Sequence, residues 1–330
     1  MEYRFVGNTG VKVSQFAYGT MSFGGDADEK TSASLFNTCR DAGINFFDCA
    51  NMYQQGKAEE ILGKLIASCR NEVIISSKVY FNAGSDVNAG GASRRHIQLA
   101  VEDSLRRLNT DRIDFYFIHR FDDRTDLEQT LRTLDDLVHQ GKILYPMASN
   151  FAAWQVSKAL GISAVQGLEK FYGIQPMYNL VKRQAEVELL PMAAAEKLAV
   201  FPYSPLGGGV LTGKYLRNTA KDVSRLNANK IYKTRYGDPM VDDSVEKFLD
   251  YAESHGYEPA SLAVAWVASH PAVTAPILGA RSVEQLQSSL KALDIRMTPE
   301  MHAEISALSP TPAPATDRSE EHSAHTFGVR

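Results

Sequence analysis

Four residues place ionisable or phenolic groups where short apolar runs end. Asp48 and Tyr53 lie in INFFDCANMY, Lys78 closes EVIISSK, and His119 closes IDFYFIH. Together they can do chemistry that none does alone. A phenol titrates near pH ~10 and is a poor proton donor near neutrality, and a neighbouring ammonium stabilises the phenolate and lowers that value. Lys78 would supply the ammonium, and Asp48 would hold it charged and aimed. His119, as a hydrogen-bond donor, would place a carbonyl oxygen beside the Tyr53 hydroxyl. Such a group is a general-acid site for reducing C=O that lacks only a hydride source. Taken singly, each has an ordinary reading: a turn-capping aspartate, a surface tyrosine, a strand-end lysine, a satisfied core histidine.

Whether the four meet depends on the elements that carry them. The chain alternates strand-like and helix-like segments after an opening hairpin, YRFVGNTGVKV, built around Gly-Asn-Thr-Gly. The expected strands are 16–20, 44–48, 72–78, 113–119, 143–149, 172–176, 199–204 and 274–279. Between them, apolar residues recur at helical spacing. Examples are Ile61, Leu62, Leu65 and Ile66; Ile97, Val101, Leu105 and Leu108 after a candidate N-cap at Ser93; and Leu127, Leu131, Leu134 and Val138 before a stop at Gly141. Eight such units predict an α/β fold of the (β/α)8 TIM-barrel type, with the N-terminal hairpin capping the barrel bottom. A doubly wound sheet is the rival, but it usually carries GxGxxG after its first strand. GGGVLTG at 207–213 misses that spacing. Active sites of such barrels sit at the C-terminal ends of the strands, so strands 2, 3 and 4 would bring Asp48, Lys78 and His119 to one mouth. Residues 212–240 are a polar, mostly aperiodic stretch with seven Lys or Arg. The expected division is a single barrel domain over 1–308 and a polar, Pro- and Ser-rich tail over 309–330.

The bulk composition narrows the class. The 330 residues are 44% hydrophobic and 22% charged, with a net charge of −4, which disfavours nucleic acid and anionic membrane as partners. No stretch approaches the roughly 20 apolar residues of a membrane span, and the first residues lack the pattern of a signal peptide. Three cysteines without a CxxC pair suit a reduced, cytoplasmic protein with no cysteine-based metal site.

The strings GINFFDCANMY…AEEILGKLI, VIISSK and DRIDFYFIHR closely resemble the aldo-keto reductases, with Asp48, Tyr53, Lys78 and His119 matching that family's catalytic tetrad. The resemblance runs from the hairpin to about residue 308. It implies NADPH bound in extended form without a Rossmann motif, with NADH as the alternative. Ser149 and Asn150 match the pair that hydrogen-bonds the nicotinamide carboxamide, Gln175 its third partner, and Tyr203 the aromatic that stacks on the ring. Ser204, Leu206 and Gly208 fall where the family's backbone wraps the pyrophosphate, with Lys214 adding charge. In GARSVEQLQSSL, Gly279, Arg281 and Gln285 fall at the 2′-phosphate site. Ser282 with Gln285 also reads as a capping box opening a helix beside Arg281. The chain has Ser288-Ser289 where the family often has Glu or Asp followed by Asn against the adenine.

The pocket for a small carbonyl substrate is expected from Met21, Phe23, Met52, Tyr80, Phe81, Arg120, Phe121 and Phe151. Arg120 would give it an anion-accepting corner that favours polyhydroxylated or acidic aldehydes. Its other reading is an ion pair with Asp122 or Asp123. Three rival functions carry less. A Schiff-base lyase using Lys78 leaves Tyr203, Gln175 and Ser149-Asn150 without a role. A metal-dependent hydrolase using His119, Asp122 and Asp123 lacks a second strand-end histidine. An NADPH-binding regulatory subunit of a membrane channel or another partner, with slow turnover, is the non-catalytic alternative within the resemblance. The sequence leaves the oligomeric state open, a homo-oligomer included.

Overall fold

A computed structural model describes residues 1–82, 86–216 and 230–316. Strands β1 (Tyr3–Phe5) and β2 (Lys12–Ser14) form an antiparallel hairpin. Eight parallel strands follow. In ring order they are β10 (Ile277–Leu278), β3 (Ala17–Gly19), β4 (Phe46–Asp48), β5 (Ile74–Val79), β6 (Ile113–Ile118), β7 (Ile143–Ser149), β8 (Gly173–Gln175) and β9 (Ala199–Val200). The ring closes where Thr274 N donates to Val200 O (2.9 Å) and Ile277 N to Pro202 O (2.8 Å). The protein is a (β/α)8 barrel, and all eight expected strands are present.

Inward and outward side chains alternate along each strand, so period two decides which residues fill the barrel. Phe46, Phe115, Phe117, Met147, Ala199, Phe201, Ala275 and Ile277 form one buried cluster. Phe46 sits edge-on to Phe115 at 5.3 Å and to Phe201 at 5.0 Å, which makes the interior a packed aromatic core rather than a channel. Val6 and Val13 of the hairpin join the same cluster. Arg4 donates to Ala268 O and Val273 O, and Tyr3 to Gly43 O, all on segments that enter the barrel. The hairpin therefore closes the end opposite the C-terminal ends of the strands. Gly7 (φ +49) approaches so closely that a Cβ would stand 2.5 Å from Lys197 O.

The outer layer comprises α1 (Glu29–Asp41), α2 (Lys57–Ile66), α3 (Arg94–Leu108), α4 (Leu127–His139), α5 (Ala153–Gln166), α6 (Leu189–Ala195), α7 (Lys230–Tyr236), α8 (Pro239–Ser254), α9 (Pro259–Ser269), α10 (Val283–Leu290) and α11 (Pro299–Ser306). Ser93 caps α3 by accepting from His96 N, and Gly141 (φ +71) follows the end of α4. The strands expected over 199–204 and 274–279 shorten most, to two residues each. After β9 the chain meets Pro202, which cannot donate, and then Ser204, whose φ of +58 is left-handed. The aperiodic stretch 212–240 contains α7 and the start of α8, while its segment 217–229 lies outside the described residues, as does the tail over 317–330. No helix among the described residues is long and apolar enough to cross a membrane.

Candidate active site

The strand register brings the tetrad together. Asp48 pairs with Ser76, Lys78 with Phe117, and Ser149 with Gln175, so the inward row that begins with buried phenylalanines ends in polar groups at the mouth. Lys78 is fully buried. Its Nζ donates to Asp48 Oδ2 (2.6 Å), to Cys49 O (2.7 Å) and to the Tyr53 hydroxyl (3.3 Å). Three acceptors match the three protons of an ammonium. The second oxygen of Asp48, Oδ1, accepts from Ser76 Oγ (2.7 Å) and Gln175 Nε2 (2.9 Å). Burial by itself would push the Lys78 pKa down, but attraction to Asp48 and Tyr53 outweighs it and the net shift is upward. The lysine stays charged.

Tyr53 reaches this group on a tight loop. Gln54 (φ 48) and Gln55 (φ 55) are both left-handed, an uncommon conformation for residues with a Cβ, and Gly56 follows at φ 91. The phenol pKa differs from the sequence expectation. Lys78 does pull it down, but loss of solvation acts more strongly and Asp48 adds to it, so the value is pushed up to about 12. The hydroxyl keeps its proton across the neutral range.

His119 continues the line of β6. Burial, then the Lys78 charge, hold its pKa well below the usual imidazole value, so the ring is neutral. Its Nδ1 is buried without a hydrogen-bond partner. The ring sits edge-on to Tyr53 at 6.1 Å and to Phe81 at 5.0 Å.

Around the mouth, Ser149 Oγ donates to Gln175 O (3.0 Å), Asn150 Nδ2 to His119 O (2.9 Å), and Tyr203 Oη to Asn150 Oδ1 (2.8 Å). Beyond Tyr203 the backbone turns through Ser204, Leu206 and three glycines, Gly207–Gly209, with φ between 58 and 97. Lys214 Nζ stands 3.0 Å from where a Gly209 side chain would begin. Gln285 departs slightly from a strict capping box: its Oε1 accepts from Arg281 N, while Ser282 Oγ accepts from Gln285 N. Arg281 Nε forms an ion pair with Asp26 (3.0 Å). Gly279 has open space where a side chain would stand. Ser288 donates to Glu258, and Ser289 is buried with its hydroxyl on Gln285 O. These two serines are therefore engaged within the fold.

The expected pocket residues divide. Met21, Met52 and Arg120 are exposed, and Tyr80, Phe81 and Phe121 are half-buried. Phe151 is buried against Phe121 and Phe171, so it backs the wall. Phe23 is a correction. It is fully buried beside Tyr18 at 5.9 Å, because the turn to Ala27 points it into the core. Asp122 is spent on Ala92 N, Thr125 Oγ1 and Arg124 N. Arg120 has no ion-pair partner within 4.0 Å among the described residues, so its pairing with Asp122 or Asp123 is not formed. Sequence reasoning missed Ser76 and the Cys49 carbonyl. Ser76 was findable, two residues before Lys78 on the same strand face; the carbonyl left no signal in residue type.

The model of the aldo/keto reductase family matches residues 15–310. The chain belongs to the aldo/keto reductase family. The reductase is 38% identical to the "Uncharacterized oxidoreductase YrpG" of Bacillus subtilis (strain 168), over 96% of this chain and 98% of the relative. It is 36% identical to a "Probable voltage-gated potassium channel subunit beta" of Oryza sativa subsp. japonica, over 93% and 96%. It is 32% identical to the "Versiconal hemiacetal acetate reductase" of Aspergillus parasiticus, over 91% and 94%. It is an NAD(P)H-dependent oxidoreductase of a family that acts on small carbonyl compounds.

Proposed function

We propose that the reductase uses NADPH to reduce a small aldehyde or ketone, sugar-derived or acidic, with Tyr53 as the general acid. The observation that carries this is the buried Lys78 ammonium shared among Asp48, Cys49 O and the Tyr53 hydroxyl. The residues fit the cofactor. Ser149, Asn150 and Gln175 offer the amide and hydroxyl groups that a carboxamide needs, and Tyr203 offers a flat face. The left-handed turns over Ser204–Gly209 make a backbone cradle with Lys214 beside it, and Arg281 with the N-terminus of α10 offers an anion site. The Asp26 pair on Arg281 and the engaged Ser288 and Ser289 leave NADH as the weaker alternative rather than an excluded one. Free thiols at Cys39, Cys49 and Cys69 support placement in the cytoplasm.

Reduced nicotinamide supplies a hydride to the carbonyl carbon when bound. The chain does the rest. Tyr53 Oη gives its proton to the carbonyl oxygen as negative charge develops there. The neutral His119 ring beside it orients that oxygen. Lys78 then faces a phenolate instead of a phenol, and its fixed positive charge stabilises the change without rearrangement. Loss of NADPH absorbance on mixing with 4-nitrobenzaldehyde, together with a direct NADPH titration, tests the assignment. Binding with turnover is expected. Absence of binding would overturn it, and tight binding with no turnover on any carbonyl would favour the regulatory-subunit reading.

Two outcomes follow for this site. Because the phenol holds its proton to about pH 12, reduction should not lose its acid between about pH 6 and about pH 9. Alcohol oxidation needs the phenolate and should still be rising at about pH 10. Initial rates in both directions against pH check this, and a plateau in oxidation near neutrality would contradict it. Arg120→Ala should lower kcat/KM about tenfold for carboxylated or polyhydroxylated aldehydes and less than about twofold for neutral aromatic ones, in line with loss of one charge-assisted contact. An equal loss on both classes would remove the selective role.

A further inference from the structure

We propose that Asn179 and Tyr236 are positioning residues for the backbone cradle at Ser204–Gly209, and so set affinity for the dinucleotide. This rests on the cofactor reading above. Asn179 is fully buried. Its Nδ2 donates to Ser204 O (2.9 Å), which also accepts from Gly207 N (2.9 Å), and to the Tyr236 hydroxyl (3.3 Å). Its Oδ1 accepts from Val181 N (3.1 Å), and its backbone pairs with Lys182 in both directions. One side chain thus ties the turn after β8 to the turn after β9.

Tyr236, also fully buried, ends α7 and lies under the same loop. A Cβ on Gly207 would stand 3.6 Å from its ring and 3.6 Å from Val181. Its hydroxyl reaches Met177 Sδ at 3.8 Å, and Met177 bridges Tyr203. The cradle therefore rests on a floor of Asn179, Val181 and Tyr236. Ser204 needs that support, because a left-handed φ at a residue with a Cβ is disfavoured and persists only when its neighbours fix it. The two groups touch none of the tetrad contacts described above. They act on binding geometry, not on proton transfer.

The test is NADPH affinity by fluorescence titration in the full-length protein, beside kcat at saturating NADPH and affinity for 2′-AMP, which lacks the pyrophosphate. Asn179→Asp keeps the acceptor for Val181 N and removes the donor to Ser204 O. The expected result is an NADPH Kd raised about tenfold, kcat within about twofold, and 2′-AMP affinity unchanged. Tyr236→Phe should raise the NADPH Kd about threefold with the same split. An unchanged NADPH Kd in folded Asn179→Asp, or equal weakening of NADPH and 2′-AMP, would overturn the proposal. If Asn179→Asp does not fold, Tyr236→Phe decides alone, a raised Kd supporting and an unchanged Kd overturning it. Failure of the wild type to bind NADPH would instead overturn the cofactor reading and this inference with it.

Discussion

Tyr53→Phe is expected to cut carbonyl reduction about a thousandfold, within the range that a positioned general acid contributes, while NADPH still binds. The variant removes one oxygen and leaves the ring. Its structural cost should stay within about 1 kcal/mol, because the hydroxyl makes only a long 3.3 Å contact to Lys78, and Lys78 retains Asp48 and Cys49 O as acceptors. Single-turnover rates at saturating NADPH read the chemical step directly, and denaturant unfolding confirms that the fold is intact. Retention of more than about a tenth of the wild-type rate would mean that another group donates the proton. The Lys78 ammonium, which touches the same hydroxyl, and His119, whose ring sits edge-on to Tyr53, are the first to examine.

The second large effect concerns the buried pair beneath the phenol. Lys78 and Asp48 are almost wholly removed from solvent, and their contact is 2.6 Å. Removing one partner leaves a charge in the barrel interior, which costs about 3–5 kcal/mol in comparable buried pairs. For Lys78→Met the lower end is expected, because Ser76 and Gln175 still donate to Asp48 Oδ1. Activity should also fall by more than about a hundredfold, since the developing phenolate loses its counter-charge. The double variant Asp48→Asn/Lys78→Met separates the two consequences. It has no unpaired charge, so stability should largely return while activity does not. Unfolding midpoints and turnover across the four members of this cycle measure both. If the double variant were as unstable as Lys78→Met, the loss would come from packing and the electrostatic account would fail.

Much of this site could be read before any coordinates. The apolar runs ending in Asp48, Lys78 and His119 signal parallel strands buried on both faces, and parallel strands in a barrel present their C-terminal ends to one mouth. Strand ends were less legible. Where 199–204 was expected to continue as strand, the last parallel bridge joins Met177 and Tyr203, with Tyr203 N donating to Pro176 O, and the left-handed Ser204 then turns the chain into the cradle. Phe23 was misplaced because an aromatic two residues after an exposed methionine reads the same whether its turn points outward or inward.

The sequence alone determined the residue types and their order along the strands. That was enough to align Asp48, Lys78 and His119 at one mouth, because side-chain alternation is a local property of the extended chain. Tyr53, off the strands, was matched through the resemblance to the aldo-keto reductases. What only the tertiary structure decided was what lies beside each group. It supplied the Cys49 carbonyl as the third acceptor for Lys78, the left-handed Gln54 and Gln55 that present Tyr53, and the Asn179–Tyr236 floor under the cradle. It also reversed the direction of the Tyr53 shift. The charge of Lys78 can be inferred from sequence, whereas the degree of desolvation depends on how many distant segments close over the phenol, and that is a property of the assembled barrel.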